Sequence, residues 1–253
     1  MPKIISLVNQ KGGVGKTTTS VNLGAYLAHF GKFVLLVDID PQANATSGLG
    51  VDHRQLDKGI YDSLVNNVPL RDIIRNTNHE GYRIAPATLS LAGANVELVN
   101  MPGREFKLAQ VLEEAKHAYD YILIDCPPSL GMLTINGLVA SDQVLIPVQA
   151  EYYALEGLGQ LLETVKLVKE NLKPELEVLG AALTMFDARN RLSNEVMNEL
   201  YKFFPNKIFR SVIPRSVRLA EAPSFGKTIL HYDPSSKGGR AYERLAREIL
   251  EMP

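Results

Sequence analysis

The 253-residue chain has almost no cysteine, almost no net charge and no long apolar run. Its single cysteine, Cys126, cannot form an internal disulfide or build an intrachain cysteine cage for a metal. A lone thiol suits a reducing compartment. The formal net charge of −1 gives the molecule as a whole no pull toward nucleic acid or membrane. No stretch reaches the roughly 18 apolar residues that span a bilayer. The greasiest segment, 161–172, is interrupted by Glu163, Lys166, Lys169 and Glu170. The start, MPKIISLVNQ, runs straight into an apolar segment without a charged leader and h-region, so no secretory signal is expected. Internal repeats, low-complexity tracts and Pro/Gly/Ser linkers are also missing. What remains is the profile of a globular protein, 45% apolar and 22% charged, of a length that suits one α/β domain over 1–253.

Short apolar runs alternate with longer amphipathic ones. Strands are expected over 4–8, 33–39, 82–85, 121–125, 144–148 and 178–184. Several are continuous in Ile, Val and Leu, as parallel strands covered on both faces are. Helices are expected over 16–30, 107–118, 133–140, 155–171, 193–204 and 239–252. Strand, helix, strand in repetition implies a mostly parallel twisted sheet with right-handed crossovers and helices on both faces. Residues 75–104 read as loops with one short strand.

The first strand runs into Lys11-Gly12-Gly13-Val14-Gly15-Lys16-Thr17-Thr18, and a helical pattern begins at Lys16. Strand, glycine-rich loop and helix is the setting of a phosphate-binding loop. Glycines let backbone N–H groups crowd a phosphate, and the helix start adds free N–H groups and its dipole. Lys16 is expected on the β/γ-phosphates of ATP, and the Thr17 hydroxyl on Mg2+. The strict pattern wants glycine where Gln10 stands. Lys11 reads either as a surface lysine or as a second phosphate contact.

Two further strands end in acids. Ligands of open α/β sheets sit beyond the carboxyl ends of the strands. Asp38 and Asp40 lie two apart and point the same way in an extended segment. Asp40 precedes Pro41, which favours an extended or turn backbone. A carboxylate there can orient a water at the γ-phosphate. The run 121–125 ends in Asp125, which can hold Mg2+ through a water. Cys126 reads as a small apolar residue. No histidine neighbours these motifs, which leaves no histidine base.

The loop resembles the deviant Walker A motif of the ParA/MinD family, whose members often lack the first glycine. Asp38-Ile39-Asp40-Pro41-Gln42-Ala43-Asn44 resembles that family's switch I, and Pro127-Pro128-Ser129-Leu130-Gly131 its switch II. Segments at 90–94, 146–149, 151–157, 184–189, 212–215 and 221–223 are similar to its ParA/Soj branch, in the small form without an N-terminal DNA-reading domain. The resemblance implies a P-loop NTPase fold and slow Mg2+-dependent ATP hydrolysis carried by Asp40. It implies that Lys11 reaches the partner subunit's nucleotide in an ATP-dependent homodimer. It also puts adenine near Pro214, with Met185 close by.

The segment 189–227 carries eight basic residues against three acidic ones, leaving an excess of five positive charges on a nearly neutral chain. Such a face reads either as solvated surface or as a site for the DNA backbone without sequence reading. The resemblance implies the second, with Arg189 and Arg218 foremost and Arg215 and Lys202 behind them. It further implies a ParB-type partner that stimulates hydrolysis, and a cytoplasmic, nucleoid-associated protein. A MinD-like membrane-associated ATPase is the alternative. It needs a free basic amphipathic C-terminal helix, whereas 245–253 mixes acids in and ends in proline. An iron-protein reductase needs two cysteines per subunit, and a non-enzymatic nucleotide sensor is opposed by Asp40 and Asp125.

Overall fold

A computed structural model describes residues 2–151, 156–187 and 189–252. Seven strands form one sheet: β1 Lys3–Leu7, β2 Val34–Asp38, β3 Arg75–Asn76, β4 Tyr82–Ala85, β5 Tyr121–Asp125, β6 Gln143–Gln149 and β7 Glu177–Thr184. Their spatial order is β3-β4-β2-β5-β1-β6-β7. Every pairing is parallel except that of β3 with β4.

The helices are α1 Lys16–His29, α2 Asn44–Gly48, α3 Ile60–Val65, α4 Leu70–Ile73, α5 Leu91–Leu98, α6 Lys107–Leu112, α7 Met132–Ala140, α8 Glu156–Asn171, α9 Arg191–Phe203, α10 Val217–Glu221, α11 Ile229–Tyr232 and α12 Lys237–Glu251. Strand alternation sends one set of side chains to each face. Leu35, Val37, Ile122 and Ile124 meet apolar residues of α3 to α9. Val34, Leu36, Tyr121 and Leu123 meet those of α1 and α10 to α12. The fold is a single-domain α/β sandwich of helices around a mostly parallel sheet, as expected.

The departures have local causes. The stretch 75–104 holds two strands and a helix, not one short strand in loops. β3 is two residues long, too short to show a period, and α5 hides behind an early Gly93. Its buried Leu91, Ala94 and Leu98 do follow helical spacing. The helix expected over 107–118 stops at Leu112 and tightens into a 3-10 turn over Glu113–Ala115. Positions 152–155 and 188, within the segments quoted for the family resemblance, lie outside the described residues.

Two packing features position the site. Leu7 and Asp38 both stand level with Asp125 in the sheet, so three strands end at one edge. Behind that edge α1 is held between the sheet and α12. Tyr242 of α12 meets Thr19 at 3.1 Å, and Ser236 caps α12 by accepting from the Gly239 N–H at 3.1 Å. On the sheet side the Tyr82 hydroxyl donates to the carbonyls of Ser20 and Val21, each at 3.3 Å. Tyr82 lies so close that a Cβ on Gly24 would stand 2.3 Å from its oxygen. Gly24→Ala is therefore expected to destabilise by about 1–3 kcal/mol through overpacking, despite alanine's better helix propensity. Thermal unfolding checks this; a variant as stable as the parent would show that Tyr82 can move aside.

Candidate active site

The loop from β1 to α1 is braced before any ligand arrives. Asn9 is buried, donates to the Pro147 carbonyl at 2.7 Å and accepts from the Lys11 N–H at 2.9 Å. The Thr184 hydroxyl donates to the Val14 carbonyl at 2.7 Å, so Val14 contributes backbone to the loop while its side chain is buried. Gly13 and Gly15 take φ of +74° and +87°, where a side chain is strained, although a Cβ on Gly13 would meet nothing. Gln10 is not among the positive-φ residues, which explains why the glycine of the strict pattern is dispensable there.

Gly15 is the N-cap of α1 and offers no side-chain cap, and the first turn carries no acid. The N–H groups at Lys16, Thr17 and Thr18 are thus left to a ligand. Lys16 is buried and curls back so that its Nζ donates to the Lys11 carbonyl at 3.3 Å. Burial lowers its pKa, opposed by the charges of Asp125 and Asp40. Lys11 points elsewhere: its Nζ lies 3.6 Å from Glu151.

Asp125 has no exposed surface and accepts from the Thr17 hydroxyl at 2.8 Å and the Ser20 hydroxyl at 2.7 Å. Ser20, one turn beyond Lys16, was not legible as a site residue, because only the sheet brings it to Asp125. Asp38 is equally buried and accepts from the Asp40 N–H at 3.2 Å and from Thr46. Burial raises the pKa of both carboxyls; their mutual charge raises that of Asp38 further, and the Thr17 and Ser20 hydrogen bonds hold Asp125 back. Asp40 stands on the rim, where its carboxylate accepts from the Gln42 N–H at 3.0 Å. Cys126 is buried, and burial pushes its thiol up.

Lys16, Thr17 and Asp40 face a cavity of about 560 Å3 lined by the phosphate loop and Met185, with Asp125 buried behind Thr17. Among the described residues no histidine lines it. Pro214 does not line it either; it pairs as an isolated bridge with Phe186, beside Met185. The wall instead includes Pro223, Ser224 and Lys227, which the sequence reading did not single out as site residues. Thr17 and Asp125 offer hard oxygen donors that fit Mg2+. Among the described residues no cluster of three His, Cys, Asp or Glu could hold a metal alone. A Mg2+ here would take its other positions from phosphate and water.

The basic candidates separate in space. Arg189 pairs with Asp187 at 2.8 Å, and Asp187 also feels Lys237 at the start of α12. Arg218 pairs with Glu221 at 3.1 Å and with Asp233 at 3.6 Å, just before that helix. Lys202 sits in the last turn of α9 beside Glu199, and Arg215 reaches Glu151 at 3.3 Å, next to Lys11. All four are exposed.

A family model described as an AAA domain matches residues 2–178. Over 249 residues the chain is 58% identical to the sporulation initiation inhibitor protein Soj of Bacillus subtilis, covering 98% of each chain. It is 50% identical over 249 residues to the chromosome partitioning protein ParA of Myxococcus xanthus, covering 98% of this chain and 88% of that one. Among solved structures, cobyrinic acid a,c-diamide synthase from Mycobacterium smegmatis with bound ATP analogue and magnesium matches with a TM-score of 0.88 at 36% identity, covering 99% of this chain and 95% of that one. With at least half its residues identical to Soj and ParA along nearly its whole length, the chain belongs to the ParA/Soj family of chromosome-partitioning ATPases.

Proposed function

We propose that the protein is a partition ATPase: it binds ATP with Mg2+ at the phosphate loop and closes into a homodimer around the nucleotide. The dimer holds double-stranded DNA without reading its sequence, and a ParB-type partner releases it by stimulating hydrolysis. It is then a cytoplasmic, nucleoid-associated protein. One observation carries the reading. The uncapped first turn of α1, Lys16 and the Thr17–Asp125 pair meet at one sheet edge, facing a cavity of nucleotide size.

The triphosphate rests on the N–H groups of Gly12 to Thr18, with Lys16 beside the β/γ-phosphates. Bound Mg2+ supplies positive charge to the phosphate oxygens, and Thr17 and, through a water, Asp125 hold it. Met185, with Pro214 behind it, borders the adenine. Asp40 orients the attacking water; the water's oxygen bonds to the γ-phosphorus as the bond to the ADP oxygen breaks, and the water's proton passes to the released phosphate. Such a reaction needs positioning and charge neutralisation more than covalent help. Lys11 leaves Glu151 and supplies a second positive charge, reaching the partner subunit's nucleotide in the dimer. Turnover is slow until the partner completes the site.

The DNA face is built on Arg189 and Arg218, with Arg215 and Lys202 as further contacts. Their ion pairs are exposed and weak, so a DNA phosphate can displace the carboxylates. A dimer doubles the phosphate contacts and steepens the salt dependence. The membrane alternative is disfavoured because the apolar side chains of α12, including Tyr242, Leu245 and Ile249, are buried in the core shared with α1. No helix among the described residues is long and apolar enough to cross a membrane.

Lys16→Ala is expected to abolish ATP-driven dimerisation in sedimentation; a variant that still dimerises with ATP would remove Lys16 from the site. Asp40→Ala is expected to accumulate an ATP-bound dimer with turnover down by about a hundredfold or more. Normal phosphate release from that dimer would refute the role given to Asp40. Arg189→Glu is expected to keep ATPase activity and weaken DNA binding with ATP by about tenfold at low salt. Unchanged affinity in a salt titration would return the basic segment to plain surface.

A further inference from the structure

The loop that carries Asp40 leaves β2 at Asp38 and re-enters regular structure in α2. Its two ends are joined by one buried polar clasp. The Asp38 carboxylate accepts from the Thr46 N–H at 2.9 Å and from the Thr46 hydroxyl at 2.7 Å. The same hydroxyl oxygen accepts from the Ala87 N–H at 3.0 Å, just past β4. Thr46 and Asp38 have no exposed surface. One hydroxyl therefore ties the ends of two neighbouring strands to the first helical turn after the loop.

Between the ends the loop is tightly turned. Ala43, a non-glycine residue, takes φ +52°, and its N–H donates to the Asp40 carbonyl at 2.9 Å. A non-glycine residue persists at positive φ where its surroundings over-determine the backbone. Asp40 is attached at both sides to this frame, since its own N–H also donates to Asp38 at 3.2 Å. Beyond Thr46, α2 contributes Ser47 and Gly48 to the cavity wall. α2 is in turn backed by Gly50 against Gly226, where a Cβ on Gly50 would stand 3.1 Å from the Gly226 carbonyl oxygen.

We infer that Thr46 is a positioning residue for hydrolysis: its hydroxyl, donated to Asp38 and accepting from Ala87, closes the loop and sets where Asp40 stands beside the phosphate loop. This rests on the reading of Asp40 as the group that orients the attacking water. Among the described residues the hydrogen bonds of Thr46 run to Asp38 and Ala87 and none runs to Lys16 or the first turn of α1, so nucleotide binding and turnover should part company when the clasp is cut.

The test compares Thr46→Val, which keeps the volume and removes the hydroxyl, with Thr46→Ser, which keeps the hydroxyl. Affinity for MgATP and intrinsic kcat are measured on the full chain, with Asp40→Ala alongside. Thr46→Val is expected to bind MgATP within about threefold of the parent and to lose about ten- to a hundredfold in kcat, the cost of a small displacement of a catalytic group. Thr46→Ser is expected to restore kcat to near the parent value. Thr46→Ala also removes the hydroxyl and should follow Thr46→Val, and it serves if the valine variant does not fold. A parental kcat in Thr46→Val or Thr46→Ala overturns the inference, as does a serine variant as slow as the valine one. Parallel losses of affinity and turnover would reduce Thr46 to a structural contact and overturn it too. If Asp40→Ala itself turns over normally, the role of Asp40 fails instead, and that outcome is visible separately.

Discussion

A carboxylate with no exposed surface, Asp125, is tied by two hydroxyls to the first two turns of α1, and the rest of the site is arranged around that contact. The pairing is possible because β1, β2 and β5 end level with one another. Parallel strands buried on both faces leave their chain ends as the place where polar groups can gather. Asp38, Asp125 and Lys16 are thereby desolvated side by side. Burial pushes the two carboxyls toward neutrality and pulls the lysine the same way; attraction between Asp125 and Lys16 opposes the change in that pair, while the charge of Asp125 pushes Asp38 further. Such a group of half-compensated charges is prepared for an anion and a cation together, since each relieves what the other aggravates. That is electrostatic preorganisation in the sense that matters for phosphoryl transfer.

The loop itself is built with little redundancy. Two glycines are required by backbone conformation and one position of the strict motif is not, because Gln10 does not take positive φ. Asn9 and Thr184 hold the loop from opposite sides by hydrogen bonds to its neighbours. α1 is held at its far face by α12 and beneath by Tyr82, so the N–H groups it offers stand on a rigid element. The C-terminal helix therefore supports the site from behind.

The basic segment shows how far a charge count can mislead. Read along the chain, 189–227 has five surplus positive charges. In space, Asp187, Asp233 and Glu151, all from outside the segment, stand beside Arg189, Arg218 and Arg215. The surplus is offset on the free chain, and what is left is a set of exposed, weakly paired guanidinium groups. Glu151 is shared by Lys11 of the phosphate loop and Arg215 of the basic segment, so the two regions meet at one carboxylate.

Most of the architecture was legible because apolar period and strand-end acids are local signals. The runs that became β1, β2, β5 and β6 are buried from end to end or nearly so, and the loop glycines and Lys16-Thr17 stand in consecutive positions. α5 and β3 were not, since an eight-residue helix with an early glycine and a two-residue strand are too short for their period to stand out. By itself the sequence determined the class of fold and the kind of ligand the first loop suits, through chemistry written within a few residues. Only the tertiary structure decided that Ser20 serves Asp125, that Thr46 clasps Asp38, that Lys227 rather than Pro214 lines the cavity, and which carboxylate each arginine meets. Ser20 and Asp125 are separated by 105 positions, Thr46 and Asp38 by 8, and Arg215 and Glu151 by 64. Their meeting depends on strand order and register, which no local pattern encodes.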